Sequence, residues 1–156
     1  MLDPDEYLGP PVPGRSVAIL GDTCDSSELA KYARNLDVLG RMRVDMFKEC
    51  LILTCSVHEA TMENKLKEKC VEFGHSTPAM AAEVATSVRA ETLILFHVSP
   101  RYRPVSACDE TNKHESADIL LTEAVAHLKQ MNNTRTTVLI AEDFTEFSIP
   151  KHNHKT

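Results

Sequence analysis

No apolar run in this 156-residue sequence approaches the ~18–20 residues needed to cross a bilayer as a helix, so no membrane span is expected. Cysteines are few and poorly placed for bridging. The five of them (Cys24, Cys50, Cys55, Cys70, Cys108) are an odd number and include no Cys-x-x-Cys pair. That argues against a disulfide framework or a zinc ribbon and fits reduced thiols in an intracellular compartment, whether cytoplasm, nucleus or organelle. Basic charge is also scarce: 17 Lys and Arg stand against 23 Asp and Glu, for a net charge of −6. Neutralising phosphates takes clustered Lys and Arg, so the chain alone is not expected to bind nucleic acid non-specifically. Met1 to Gly14 is acidic and proline-rich, with neither a basic nor an apolar leader region, so no secretory signal is expected there. Internal repeats are absent.

What is present reads as one α/β domain with its punctuation in polar turns. Residues 1–15 form an extended lead-in, since Gly9-Pro10-Pro11-Val12-Pro13-Gly14 cannot hold a helix. Ser16 to Leu20 is a nearly all-apolar run that fits a doubly buried strand, ending at Gly21-Asp22-Thr23. Asp25 or Ser26 caps a helix with Leu29, Tyr32, Ala33 and Leu36 at helical spacing, and Leu36 to Leu39 starts the next strand. Residues 40–56 interrupt the pattern and read as an insertion, because removing them joins Leu39 to Val57-His58-Glu59-Ala60-Thr61. Asn64 to Phe73 is expected to be helical and to end at Gly74 in the left-handed region. Ser76-Thr77-Pro78 predicts a hydroxyl-capped helix with Ala81, Val84, Ala85 and Val88 inward. Glu91 to Phe96 predicts a strand ending at His97, and Arg103 to Glu115 a loop. Ser116 to Lys129 predicts a helix on Ala117, Leu120, Leu121, Ala124, Val125 and Leu128. Thr136 to Ala141 and Phe144 to Ile149 predict two further strands, and 151–156 a flexible tail.

The candidate site residues sit where apolar runs end. Each has two readings. Asp22 serves as a turn residue or as a metal ligand; open α/β sheets place ligands at the carboxyl ends of their strands. His97 is a satisfied edge histidine or a ligand. Glu59 and His75 are solvent-facing groups or a carboxylate–histidine pair, the usual way to fix a tautomer and raise basicity. Arg101 is a surface ion-pair partner or a fork for a phosphate. The cysteines read as small apolar fillers, and His152-x-His154 as an inert tail.

Taken in order, Gly-Pro-Pro-Val-Pro-Gly-Arg (9–15), Ile-Leu-Gly-Asp-Thr (19–23), Val-His-Glu-Ala-Thr (57–61), Gly-His-Ser-Thr-Pro (74–78) and His-Val-Ser-Pro-Arg-Tyr (97–102) resemble ribonuclease Z, the family of tRNA 3′-processing endonucleases in the metallo-β-lactamase superfamily. The resemblance covers about residues 2–150. It implies the C-terminal half of an αββα sandwich, with a mixed sheet of about five strands and helices on its outer face. It implies a zinc-dependent endoribonuclease that removes 3′ trailers from precursor tRNA with two zinc ions. In that likeness Asp22 bridges the metals and His97 is a terminal ligand. His75 transfers the proton, Glu59 holds His75, and Arg101 contacts the substrate phosphate with Tyr102 packed beside it. The family's His-x-His-x-Asp-His motif does not occur here. The chain is therefore expected to be inactive alone and to need a complementing N-terminal half or a homodimeric partner. Alternatives are a non-catalytic module that dimerises with or regulates an intact relative, and another hydrolase of the metallo-β-lactamase fold. The inner sheet face is expected to be apolar and uncovered.

Overall fold

The computed structural model describes residues 17–29, 31, 54–109, 111–112 and 116–149. Four strands form its sheet: β1 (Val17–Leu20), β2 (Cys55–Glu59), β3 (Thr92–Phe96) and β4 (Thr137–Ile140). They lie side by side in the order of the sequence, and each adjacent pair is parallel. Among the described residues three helices lie between β2 and β4: α1 (Lys67–Glu72), α2 (Pro78–Ser87) and α3 (Asp118–Gln130). The α/β expectation holds. Among the described residues, however, the sheet has four parallel strands rather than the expected mixed set of about five. The expected strand from Phe144 to Ile149 does not form; Phe144 has φ +65° and its side chain is fully exposed. The apolar residues Phe144, Phe147 and Ile149 do not keep a period of two, so the run has no continuous apolar face to bury as a strand.

Parallel strands need crossovers, and from β2 to β3 and from β3 to β4 the crossovers are helical. Helices α2 and α3 pack on each other and on one face of the sheet. The in-register rows Ala18–Ser56–Leu93–Val138 and Leu20–His58–Leu95–Ile140 turn toward them. The core joins Leu93 and Leu95 to Ala81, Ala82, Ala85 and Val88, with Ala124 and Leu128 from α3. Alanine on α2 lets the helix lie close to the sheet, where two leucines fill the gap. Both predicted helical stripes are largely buried, although Val84, Leu121 and Val125 are only partly so.

Pleating sends the alternate row, Ile19–Val57–Ile94–Leu139, to the other face. Central Ile94 is buried, but Ile19 is 72% exposed, and Val17 and Leu139 are exposed as well.

Helix α1 follows a 3₁₀ turn (Asn64–Leu66) and stops at Gly74, whose φ of +77° matches the left-handed stop. Pro78 starts α2 as predicted, but the hydroxyl of Thr77 makes no cap bond. Asn64 Oδ1 accepts the Ala79 N–H instead, at 2.9 Å. The helix expected after Asp25 is described only as far as Leu29 and Lys31, and its partners Tyr32, Ala33 and Leu36 lie outside the described residues. So do 1–16, 40–53 and 150–156. Cys55 and Ser56, placed at the end of the expected insertion, are the first two residues of β2.

Candidate metal site at the carboxyl edge of the sheet

All four strands run the same way, so their carboxyl ends make one edge, and the polar signatures meet there. Asp22 follows β1 after Gly21 and takes φ +45°. His97 follows β3 directly at φ +53°. Non-glycine residues persist in this region when their surroundings hold them. Glu59 is the last residue of β2 and is fully buried. One of its carboxylate oxygens accepts the Thr23 N–H. The other accepts the Thr61 hydroxyl at 2.7 Å and the Ser76 N–H at 3.1 Å. A buried carboxylate is costly unless paired or hydrogen-bonded, and these donors come from three different turns. Glu59 thereby fixes the Asp22 turn and the His75 turn in one arrangement. The Ser76 hydroxyl donates to the Thr23 carbonyl and ties the same two turns a second time.

His75 comes from the turn after α1, its N–H donating to the Cys70 carbonyl at 2.8 Å. Its Nδ1 lies 3.2 Å from Glu59 Oε2 and 4.0 Å from Asp22 Oδ1. The contact with Glu59 is off the line of a hydrogen bond, so the buried Nδ1 has no hydrogen-bond partner. His97 Nδ1 lies 3.2 Å from Asp22 Oδ1 and 4.0 Å from Glu59 Oε2. One donor atom from each of Asp22, His75 and His97 falls within 4.8 Å of the others. Two donors on one tetrahedral zinc, each about 2.0–2.2 Å from the ion, stand about 3.3–3.6 Å apart. The separations of 3.2 and 4.0 Å from Asp22 straddle that spacing. The residues present therefore fit a small N/O-liganded cation.

The structure brings Asp22, Glu59, His75 and His97 together. Arg101 is on the loop that carries His97, exposed, its Nε donating to Ser99 Oγ at 3.3 Å. Tyr102 turns inward; its hydroxyl donates to Glu63 Oε1 at 3.2 Å and accepts the Glu63 N–H at 3.1 Å. Burial pushes that phenol up. Beside His97 a cleft of about 540 Å³ opens between Phe96, Ser99, Tyr102, Ser106 and Glu142.

Sequence reasoning missed Thr61. Its hydroxyl lies 3.0 Å from the His97 carbonyl besides donating to Glu59, its N–H donates to the Ser76 carbonyl, and its carbonyl accepts the Ser99 N–H. One residue thus fastens both histidine turns to the end of β2. Its place two residues beyond Glu59 was visible, but the partners lie in distant segments. His58 is different again. One step before Glu59 on a strand, it faces the helices, its Nδ1 donating to the Glu59 carbonyl at 2.8 Å and its Nε2 accepting from Ser26 at 3.1 Å. Desolvation holds its pKa below the ordinary histidine value.

No family model matches the chain. It is 35% identical over 150 residues to the human protein named zinc phosphodiesterase ELAC protein 1, covering 96% of this chain and 35% of that protein. It is 32% identical over 149 residues to ribonuclease Z of Halalkalibacterium halodurans, covering 96% of this chain and 37% of the relative. The solved structure of human tRNase Z, short form, matches with a TM-score of 0.50 at 29% identity, over 88% of this chain and 34% of that one. The chain spans about a third of the length of these relatives.

Proposed function

Because the chain belongs to the ribonuclease Z family, we propose that it is a C-terminal portion of a zinc-dependent endoribonuclease that removes 3′ trailers from precursor tRNA. The observation that carries this reading is the convergence of Asp22, His75 and His97 from three separate turns onto one buried carboxylate.

Asp22 and His97 would hold zinc in the complete site. Zinc, when bound, supplies a hydroxide at neutral pH and neutralises phosphate charge. His75 would give a proton to the leaving oxygen, with Glu59 Oε2, 3.2 Å from its Nδ1, orienting the ring. Arg101, exposed on the loop that carries His97, would offer its planar fork to a phosphate oxygen. Two groups are too few for two metals, since a catalytic zinc keeps three protein ligands. The remaining ligands come from a complementing N-terminal half, or from an intact relative in a dimer, and the chain alone does not cut RNA. The −6 charge agrees with this, because the grip on tRNA then belongs elsewhere. Free thiols at Cys24, Cys55, Cys70 and Cys108 support a reducing compartment. Among the described residues no helix is long and apolar enough to cross a membrane.

The test is cleavage of precursor tRNA by the chain combined with an N-terminal half from a relative. Trailer removal is expected from the combination and not from either part. His75→Ala should lower the rate about 10²–10⁴-fold, the usual contribution of a general acid, with zinc still bound to the combined enzyme. Full turnover in that variant removes His75 from the reaction.

A further inference from the structure

We propose that Glu63 is a positioning residue for Arg101, acting through the Tyr102 hydroxyl. This rests on the reading above only in taking Arg101 as the phosphate contact. The new element is the clamp that aims it.

Residues 99–102 form a turn closed by the Tyr102 N–H, which donates to the Ser99 carbonyl at 3.0 Å. Arg101 is the third residue of that turn and is exposed. The side-chain hydrogen bond it makes stays inside the turn, from Nε to Ser99 Oγ at 3.3 Å. Its direction is therefore set by whatever holds the turn. The segment that follows β2 holds both ends. The Ser99 N–H donates to the Thr61 carbonyl at 3.1 Å. The Tyr102 hydroxyl donates to Glu63 Oε1 at 3.2 Å and accepts the Glu63 N–H at 3.1 Å. The phenol thus spends its donor and an acceptor on one residue. Its ring lies in a small core with Ala117 and Leu120, which a phenylalanine would fill as well. The hydroxyl is what adds the tie to Glu63. Burial pushes the phenol above its ordinary value of 10.0, so it remains a donor at neutral pH. The other oxygen of Glu63 pairs with Lys65 Nζ. The foot of the clamp is fixed as well: the Asn64 N–H donates to Glu123 Oε2 on α3 at 2.7 Å, and Asn64 Oδ1 accepts the Ala79 N–H on α2. Two helices therefore set the height and tilt of the Arg101 turn. A forked contact to phosphate depends on such placement.

The experiment has two arms. In the full chain alone, amide hydrogen exchange at Ser99 and Tyr102 should quicken about tenfold in Glu63→Ala and in Tyr102→Phe, with the β3 amides unchanged. Glu63→Gln keeps an acceptor for the hydroxyl and should exchange like the parent. In the chain combined with an N-terminal half, Glu63→Ala should raise KM for precursor tRNA about tenfold, with kcat within about threefold. Glu63→Gln should restore the parent KM. Arg101→Ala should raise KM by itself, and adding Glu63→Ala to it should cost nothing more, which a general loosening of the fold would not reproduce. The proposal is overturned if the Ser99 and Tyr102 amides keep the parent rate in both variants. It is overturned equally if Glu63→Gln loses as much as Glu63→Ala, or if the losses at Glu63 and Arg101 add. If the parent combination cuts nothing, the proposed function falls and the exchange rates alone decide the clamp.

Discussion

His58 and Glu59 are neighbours in sequence and are almost completely buried, yet they serve opposite sides of the sheet. Glu59 organises the candidate site. His58 is a structural histidine kept neutral, and that has a consequence for pH. Its folded pKa lies below the unfolded value of 6.5 because burial disfavours the charged ring. The unfolded chain then binds more protons over that interval, so stability rises with pH there. The contribution of His58 is complete above about pH 6.5 and is lost as pH falls below it, at up to about 1.4 kcal/mol per pH unit. Urea unfolding at a series of pH values between neutral and mildly acidic should show this loss. A His58→Asn variant should show a shallower slope, and an equal slope would assign the effect to other groups.

At the scale of single elements, the start of α2 shows how local and distant chemistry divide the work. The order Ser76-Thr77-Pro78 makes the helix start legible, because proline suits the first helical position and a hydroxyl residue suits the cap. The side chain that caps is Asn64, fifteen residues before the Ala79 whose N–H it accepts. Thr77 is in the extended cap conformation, but its hydroxyl is buried without a partner. Asn64→Ala should therefore cost about 1 kcal/mol, while Thr77→Val should be neutral or mildly stabilising. Denaturant midpoints of the two variants decide between this cap and a local one. The candidate site divides in the same way. Asp22, Glu59, His75, His97 and Arg101 were legible as residue types at the ends of apolar runs. Thr61 was not, because its meaning lies in bonds to Glu59, Ser76, His97 and Ser99. The expected fifth strand failed for a local reason: Phe144, Phe147 and Ile149 break the period of two that a half-buried strand needs.

On the scale of the whole molecule, the sheet has one face under α2 and α3 and another bearing Val17, Ile19, Val57, Ile94 and Leu139. An all-parallel sheet is ordinarily covered on both faces. The exposure of Val17, Ile19 and Leu139 fits a layer meant to meet another layer, as expected of a chain spanning about a third of its relatives. The chain should self-associate with rising concentration. Ile19→Lys, which places a charge on the most exposed apolar position of that face, should reduce association with a stability change within about 0.5 kcal/mol. Sedimentation velocity checks this: a parent that stays monomeric at high concentration, or a variant that associates equally, contradicts it.

The sequence by itself determined the α/β class, the alternation of strands and helices, the left-handed turn at Gly74 and the polar groups at the strand ends, because hydrophobic period and turn chemistry are local properties of the chain. Tertiary structure decided that the strands are all parallel, that Asn64 rather than Thr77 caps α2, and that Asp22, His75 and His97 converge over Glu59. Those outcomes depend on which distant segments come within hydrogen-bonding reach, and no local pattern of residues encodes a distance.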